Sequence, residues 1–197
     1  MSARRSPRLD RAALDDAALL RAVNEGDLGA LGEVYDRHAR HVWRAVRRTL
    51  GHDADVDDVV HTLFLRLPQL AASYDGRPSC RGWLCGIAIR LALRHRRGVG
   101  RFHRMLRSFA EGLTGRSGGD PERQASHGQE LAAFEAALAR LSEKKRAVFV
   151  LVELEGLTAE EAARLLVIPA ATARTRLFHA RAELREAVGR TREGGEP

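Results

Sequence analysis

The sequence predicts an all-α protein with two small helical domains joined by a flexible linker, the C-terminal one carrying a helix-turn-helix. Three observations favour this class. Apolar residues recur at steps of three and four over most of the chain, which is the spacing of one helix face. Alternating strand patterns are almost absent. From Gly98 to Gly128 the periodicity dissolves into a stretch with seven glycines, which is typical of a linker.

The N-terminal domain is predicted to span residues 14–98. Two apolar stripes define its long helices: Leu31, Val34, His38, Val42, Val46 and Leu50 in one, and Val56, Val59, Val60, Leu63 and Leu67 in the other. Aspartates between positions 53 and 58 precede or open the second helix, where carboxylates cap free N–H groups. A third segment, WLCGIAIRLALRHRR, is apolar first and basic last.

The linker is predicted over residues 99–128 and the C-terminal domain over 129–190. Ser142 is the expected N-cap of one helix, which ends at Gly156. Thr158 opens the next with the sequence T-A-E-E, a capping box. A three-residue break, V-I-P, then separates predicted helices at 159–166 and 170–188, which is the layout of a helix-turn-helix.

The last of these helices has an apolar back and a polar front. Ala173, Leu177, Ala180 and Leu184 form the apolar stripe. The outward face carries Thr172, Thr175, Arg176 and His179, flanked by Arg174, Arg181 and Arg185. Such a helix suits the DNA major groove, with donors facing the bases and cations facing phosphates. The alternative is an ordinary solvated basic face.

The charge of the chain favours an anionic partner. The sequence has 33 Lys+Arg against 26 Asp+Glu, a formal net charge of +7. Nucleic acid is therefore the first candidate. The stretch 77–107 has nine arginines and no acidic residue, and it includes Trp83. Arginines interleaved with an aromatic suit single-stranded nucleic acid, although a basic helix end before a basic linker would have the same composition.

Several classes are disfavoured. Two cysteines indicate a reducing compartment, and the longest apolar run, AVFVLV, is too short to span a membrane, so we expect a cytoplasmic protein. No catalytic motif or supported acid–base pair occurs, so neither an enzyme nor a cofactor is expected. Zinc binding by Cys80 and Cys85 with His95 or His103 is disfavoured by the loose spacing. Calcium at Asp53–Asp58 fails the loop requirements.

Three segments in order carry a resemblance to a known family: DVDDVVHTLFLRLPQL, RGWLCGIAIRLALRHRR, and the stretch from ALARLSEKKR to TRLFHARAEL. The chain resembles a bacterial RNA polymerase sigma factor of the extracytoplasmic-function (ECF) group. The resemblance covers all but the first dozen residues and the linker. It implies a non-enzymatic factor that binds core RNA polymerase and promoter DNA, and an anti-sigma factor as its regulator.

The resemblance also assigns roles. It implies core-polymerase binding by Asp57, Asp58, Phe64 and Leu67. It implies −10 recognition and melting by Trp83, Arg96 and Arg97, with Arg90 and Arg94 at positions where the family usually has Asn and Asp. It implies −35 recognition by Thr172, Arg174, Thr175 and Arg176, to which the helix face adds His179 and Arg181.

One departure from the family concerns the turn. Val167 stands where the family usually has glycine, and a β-branched residue is unfavourable at positive φ. The sequence therefore predicts a differently shaped turn. Two other classes stay open. An autonomous helix-turn-helix regulator would bind duplex DNA without polymerase, and a nucleic-acid-processing enzyme would need carboxylates clustered in a basic cleft.

Overall fold

The computed structural model describes residues 11–51, 55–107 and 128–193, with side chains from 97–107, 128–131 and 188–193 outside the description. Eight α-helices lie within these ranges: α1 (Asp16–Asn24), α2 (Leu28–Leu50), α3 (Val56–Leu70), α4 (Cys80–Arg107), α5 (Gly128–Arg140), α6 (Glu143–Phe149), α7 (Ala159–Leu166) and α8 (Ala170–Glu193). Short 3-10 turns occur at Arg11–Ala13 and Ala71–Ser73. No strand forms within these ranges, so the all-α prediction is confirmed.

Side-chain hydrogen bonds cap α1, α2 and α7, whereas Asp55, at the N-cap of α3 where carboxylate capping was predicted, makes no such bond. Asp15 Oδ1 accepts a hydrogen bond from Ala18 N–H at 2.6 Å and so caps α1. Asp27 Oδ1 caps α2 in the same way, through Gly29 N–H at 2.8 Å. The predicted capping box of α7 is present, with both reciprocal hydrogen bonds between Thr158 and Glu161. Each bond satisfies an N–H group that has no partner within its helix.

The N-terminal helices α1 to α4 form one bundle. Helix α2 runs through its centre and packs against α1, α3 and α4. The apolar stripes predicted from the sequence fill the core, including Val34, Val42, Val46, Leu63 and Leu67. Because these side chains are almost fully buried, the bundle gains roughly 1.5–3 kcal/mol from each large one.

The C-terminal helices form a second bundle. Helix α8 packs against α5, α6 and α7, and its stripe of Ala173, Leu177, Ala180 and Leu184 is buried as predicted. A π-helical turn at Val150–Leu154 continues α6. Ser142 stands at the N-cap of α6, although its side chain makes no capping hydrogen bond.

The two bundles also pack against each other, a contact that the sequence does not predict. Ala147, Val150, Leu151, Leu157 and Ala162 of the C-terminal part belong to the same apolar core as the N-terminal bundle. Helix α7 lies directly on α4. Two glycines of α4 allow this approach: a Cβ at Gly86 would lie 2.4 Å from Leu165 Cδ1, and a Cβ at Gly82 would lie 2.5 Å from Leu157 Cδ1.

Helix α4 is longer than predicted. It continues to Arg107, whereas the sequence pattern places the start of the linker at residue 99. The glycines at 98 and 100 weaken a helix without forbidding one, which is why the pattern there is misleading. No helix in the described part of the chain is long and apolar enough to cross a membrane.

Candidate nucleic-acid interface

Helices α7 and α8 form a helix-turn-helix. The turn between them is made by Val167, Ile168 and Pro169. Val167 adopts a left-handed conformation, with φ 56° and ψ 55°, and its N–H bonds back to Ala163 and Arg164 carbonyls. The prediction of a differently shaped turn is therefore wrong: valine takes the conformation that glycine favours, and the packing of both flanking helices holds it there.

We expect Val167→Gly to stabilise the protein. A β-branched residue in the left-handed region costs about 1–3 kcal/mol. Glycine removes this strain, but it also raises the conformational entropy of the unfolded chain, which offsets part of the stabilisation. Val167 is exposed, so little apolar burial is lost. The net gain in the free energy of unfolding should be about 0.5–1 kcal/mol, measured by urea denaturation. Ala182→Gly, at an exposed position inside α8, should instead lower the free energy of unfolding by about the same amount. An equal loss of stability in Val167→Gly would contradict the strain argument.

The predicted DNA-facing side chains of α8 lie together on its outer surface. Arg174, Thr175, His179 and Arg181 are exposed, while Thr172 and Arg176 are half-buried. Two of the arginines are paired within the protein: Arg174 with Glu160 and Arg181 with Glu153. Arg176 has no ion-pair partner among the residues that the structure describes. Arg176 therefore need not break an existing ion pair to meet DNA.

Phe178 is a residue of this face that the sequence analysis did not select. Its ring is 65 % exposed and lies edge-on to His179, with ring centroids 5.5 Å apart. A large exposed aromatic is informative because burial is its usual state. The signal was present in the sequence, since Phe178 falls outside the apolar stripe of α8. A phenyl ring here can contact a thymine methyl group.

The −10 residues predicted on α4 largely face the protein interior. Trp83 is 4 % exposed and packs on Tyr74, with ring centroids 5.2 Å apart. Arg90 lines a cavity of about 220 Å³ between α4 and α7, where burial and then Arg94 lower its pKa. Its Nε is buried without a hydrogen-bond partner in the described part of the chain. In this arrangement Trp83 is buried and Arg90 is half-buried, and their role at the −10 element stays a prediction.

The basic end of α4 is more accessible. Arg94 is exposed. Arg96 is half-buried, pairs with Glu143 of α6 and donates to the Leu50 carbonyl. Arg97 lies in α4 with its side chain outside the described residues. Thus Arg94 is the described −10 candidate that faces solvent without a partner from the C-terminal bundle.

Helix α3 presents its acidic end and one leucine to solvent. Asp57 and Asp58 are exposed, and Asp57 Oδ1 accepts a hydrogen bond from Trp43 Nε1 at 2.9 Å. Phe64 is 5 % exposed and Leu67 is fully buried in the core. Their predicted contact with core polymerase stays a prediction. Leu65, 77 % exposed, is an apolar side chain that α3 presents to solvent.

Neither cysteine lies in a setting that favours a reactive thiolate. Both are free and buried. Burial raises the pKa of Cys80 to about 12, and burial together with the neighbouring Glu155 raises the pKa of Cys85 further above its ordinary value. Reactive cysteines have lowered pKa values and exposed sulfur atoms. The two thiols are consequently poor candidates for direct redox sensors.

Comparison with known proteins agrees with this organisation. Residues 34–102 match the family model for sigma-70 region 2, and residues 131–184 match the one for sigma-70 region 4. The sigma factor NccH of Alcaligenes xylosoxydans xylosoxydans is 33 % identical over 177 residues, covering 86 % of this chain and 92 % of NccH. The ECF sigma factor SigM of Mycobacterium tuberculosis is 29 % identical over 175 residues, covering 88 % of this chain and 85 % of SigM.

Two solved structures share the fold. CnrH in complex with the cytosolic domain of CnrY is 26 % identical with a TM-score of 0.58, covering 88 % of this chain and 97 % of CnrH. RpoE in complex with the anti-sigma factor NepR from Bartonella quintana has a TM-score of 0.61 at 18 % identity, covering 80 % of this chain and 96 % of RpoE. The latter likeness concerns the fold alone.

These findings define the class as a two-part helical transcription factor with a C-terminal helix-turn-helix. The chain belongs to the sigma-70 family of RNA polymerase sigma factors, in its ECF group. It is therefore a factor that directs promoter-specific transcription initiation. Sigma factors are initiation factors and not enzymes.

Proposed function

We propose that the protein docks on core RNA polymerase through the exposed face of α3 and contacts promoter DNA through α4 and α8. The observation that carries the first part is the stripe formed by Asp58, His61 and Leu65, which recur at steps of three and four and are all exposed. This stripe is apolar at one end and charged at the other. Protein interfaces likewise combine an apolar centre with a polar rim.

The groove beside this stripe extends the docking surface. Tyr35, Trp43, Asp57 and His61 line it between α2 and α3. Tyr35 is exposed and stacks edge-on against Phe64, with ring centroids 4.8 Å apart. Phe64 therefore supports the surface from below. Aromatic side chains held in this way are frequent anchors in protein complexes.

On the DNA side, we assign −35 recognition to the α8 face with Thr172, Arg174, Thr175, Arg176, His179 and Arg181, with Phe178 added. We assign −10 contact first to Arg94, Arg96 and Arg97 on α4. Trp83 and Arg90 can take part only after α7 has left α4, because both now line or lie beneath that contact. The domain limits 14–98 and 129–190, with the linker between them, belong to the same proposal.

The docking surface is tested with Leu65→Ala/Asp58→Ala. We expect its affinity for purified core polymerase to fall about tenfold or more, since truncating an interface anchor typically costs over 1 kcal/mol. Run-off transcription from the promoter of its own gene should fall in parallel. Leu28→Ala is the matched control, because Leu28 on α2 is 76 % exposed, and it should leave both measurements unchanged.

The outcomes of these measurements distinguish the alternative functions. Unchanged affinity of the double variant for core polymerase would show that α3 is not part of the docking surface. If the wild-type protein binds core polymerase but gives no transcript, the promoter fragment was the wrong one. Tight binding of duplex promoter by the protein alone, without core polymerase, would favour the autonomous regulator. Metal-dependent cleavage of DNA would favour the processing enzyme.

A protein regulator and a cytoplasmic site of action complete the proposal. CnrH is bound to the cytosolic domain of CnrY, and RpoE to an anti-sigma factor, in the solved structures. We accordingly assign an anti-sigma partner to this protein. Such a partner would cover two exposed apolar side chains: Leu65 on the proposed polymerase-facing surface and Phe178 on the proposed DNA-facing surface.

A further inference from the structure

Three potential metal ligands converge in the N-terminal bundle. Asp16 is the first residue of α1, His38 lies in the middle of α2 and Cys80 is the first residue of α4. Their carboxylate oxygen, imidazole nitrogen and sulfur atoms all lie within 4.8 Å of one another. The closest pair is Asp16 Oδ2 and His38 Nε2, 3.0 Å apart.

The spacing of these donors is near that of a tetrahedral site. Zinc takes sulfur at about 2.3 Å and nitrogen or oxygen at about 2.0–2.2 Å, which places ligand atoms roughly 3.4–3.6 Å from one another. Since no two donor atoms are more than 4.8 Å apart, side-chain rotations of Asp16 and Cys80 that shorten the longest separation by about 1.3 Å or less would bring the donors to such distances. A thiolate, an imidazole and a carboxylate together are a donor set that suits Zn²⁺ and disfavours Mg²⁺ or Ca²⁺.

Arg37 holds the Asp16 carboxylate in place. Arg37 Nη1 donates to Asp16 Oδ1 at 3.3 Å, which leaves the other oxygen directed at His38. Arg37 is itself fixed by Glu33, at 2.7 Å, and by the Leu14 carbonyl, at 2.8 Å. Ligating carboxylates in metal sites are commonly oriented by hydrogen bonds of this kind.

The local charge also matches a divalent cation. Arg37 and Glu33 cancel each other, so that the carboxylate of Asp16 and a Cys80 thiolate would leave two negative charges. A divalent ion would neutralise them and would displace the thiol proton. His38 and Cys80 are buried, which keeps competing water out, while the Asp16 side chain is about one third exposed and provides an entry path.

We infer that Asp16, His38 and Cys80 form a binding site for one divalent transition-metal ion, best matched by Zn²⁺, with water as the fourth ligand. The ion would fasten the start of α4 to α1 and α2. This inference does not depend on the proposed polymerase or promoter contacts. The sequence alone does not indicate this site, because Cys85, His95 and His103 all lie nearer to Cys80 along the chain than Asp16 and His38 do.

The test uses the full chain stripped of metal with a chelator and then titrated with Co²⁺, which stands in for Zn²⁺. We expect one equivalent to produce the sulfur-to-cobalt charge-transfer absorption of a cysteine-ligated ion, and Zn²⁺ to displace it. One equivalent of Zn²⁺ should also raise the Tm of the stripped protein. A wild-type protein with no charge-transfer band and no shift in Tm would overturn the inference.

Variants locate the ion. Cys80→Ser should lose the charge-transfer band, and Asp16→Asn, which can still hydrogen-bond His38, should keep the fold by circular dichroism and bind at least tenfold more weakly. Cys85→Ala is the matched control, because Cys85 is also a buried free cysteine of α4 but lies outside the cluster. It should retain the band; loss of the band in Cys85→Ala and its retention in Cys80→Ser would overturn the assignment.

Discussion

Gly86→Ala is expected to lower the free energy of unfolding by roughly 1–2 kcal/mol and to loosen the contact between the two bundles. A Cβ at this position would lie 2.4 Å from Leu165 Cδ1 and 2.9 Å from Leu165 Cβ. The second of these atoms is fixed to the α7 backbone, so a rotation of the leucine side chain cannot relieve the overlap. Helix α7 must move away from α4.

The same substitution elsewhere should have the opposite sign. Gly32 lies inside α2 with nothing within 4 Å of a Cβ placed there. Gly32→Ala should therefore stabilise the protein by about 0.5–1 kcal/mol through helix propensity alone. Urea denaturation measures both effects, and small-angle X-ray scattering should show a larger radius of gyration for Gly86→Ala only.

A double-mutant cycle with Leu165 identifies the cause. Leu165→Ala removes the atoms that the new Cβ would meet, so Gly86→Ala should cost markedly less in that background. Additive losses in the double variant would show that the two residues do not meet. Stabilisation by Gly86→Ala in the wild-type background would contradict the close packing of α4 and α7.

Arg176→Ala is expected to weaken binding of the core–sigma complex to a −35 element by about fivefold to a hundredfold. A bidentate arginine–guanine pair contributes about 1–3 kcal/mol of discrimination, and Arg176 has no competing ion pair within the described residues. If Arg176 contacts a base, Arg176→Ala should relax specificity at one position of the −35 element. If Arg176 contacts a phosphate, the slope of log affinity against log salt concentration should instead fall by about one unit in the variant. Fluorescence anisotropy at several salt concentrations distinguishes the two.

Two variants calibrate this result. Arg21→Ala removes the same charge from an exposed site on α1 and should leave −35 affinity nearly unchanged. Arg174→Ala should cost less than Arg176→Ala, because Arg174 must first leave Glu160. An Arg21→Ala loss as large as that of Arg176→Ala would mean that net charge, and not the α8 face, governs binding.

Local patterns in the sequence were enough to predict the helices and the helix-turn-helix. Helix α7 begins at its capping box and ends at Leu166 as predicted, because these features depend on residues within four positions of each other. The stripe of α8 was predicted for the same reason. The end of α4 was not, since Gly98 and Gly100 are weak local signals against a helix that continues to Arg107.

Contacts between residues that are distant along the chain could not be predicted from the sequence. Trp83 packs on Tyr74 of the N-terminal bundle, and Arg90 lines a cavity to which α7 of the C-terminal bundle contributes. Likewise, nothing in the local sequence brings Asp16 to His38 and Cys80, because each belongs to a different helix.

The contact between α4 and α7 limits the distance along DNA that the two proposed DNA-contacting surfaces can span. The −10 and −35 elements are separated along the duplex by about 25 base pairs, or about 85 Å at 3.4 Å per base pair. Because α7 packs against both α4 and α8, the proposed −10 and −35 surfaces lie too close together to span that length. If α4 and α8 contact the two elements as proposed, a chain that binds both must give up the α4–α7 contact, and the free energy of that contact then opposes promoter binding.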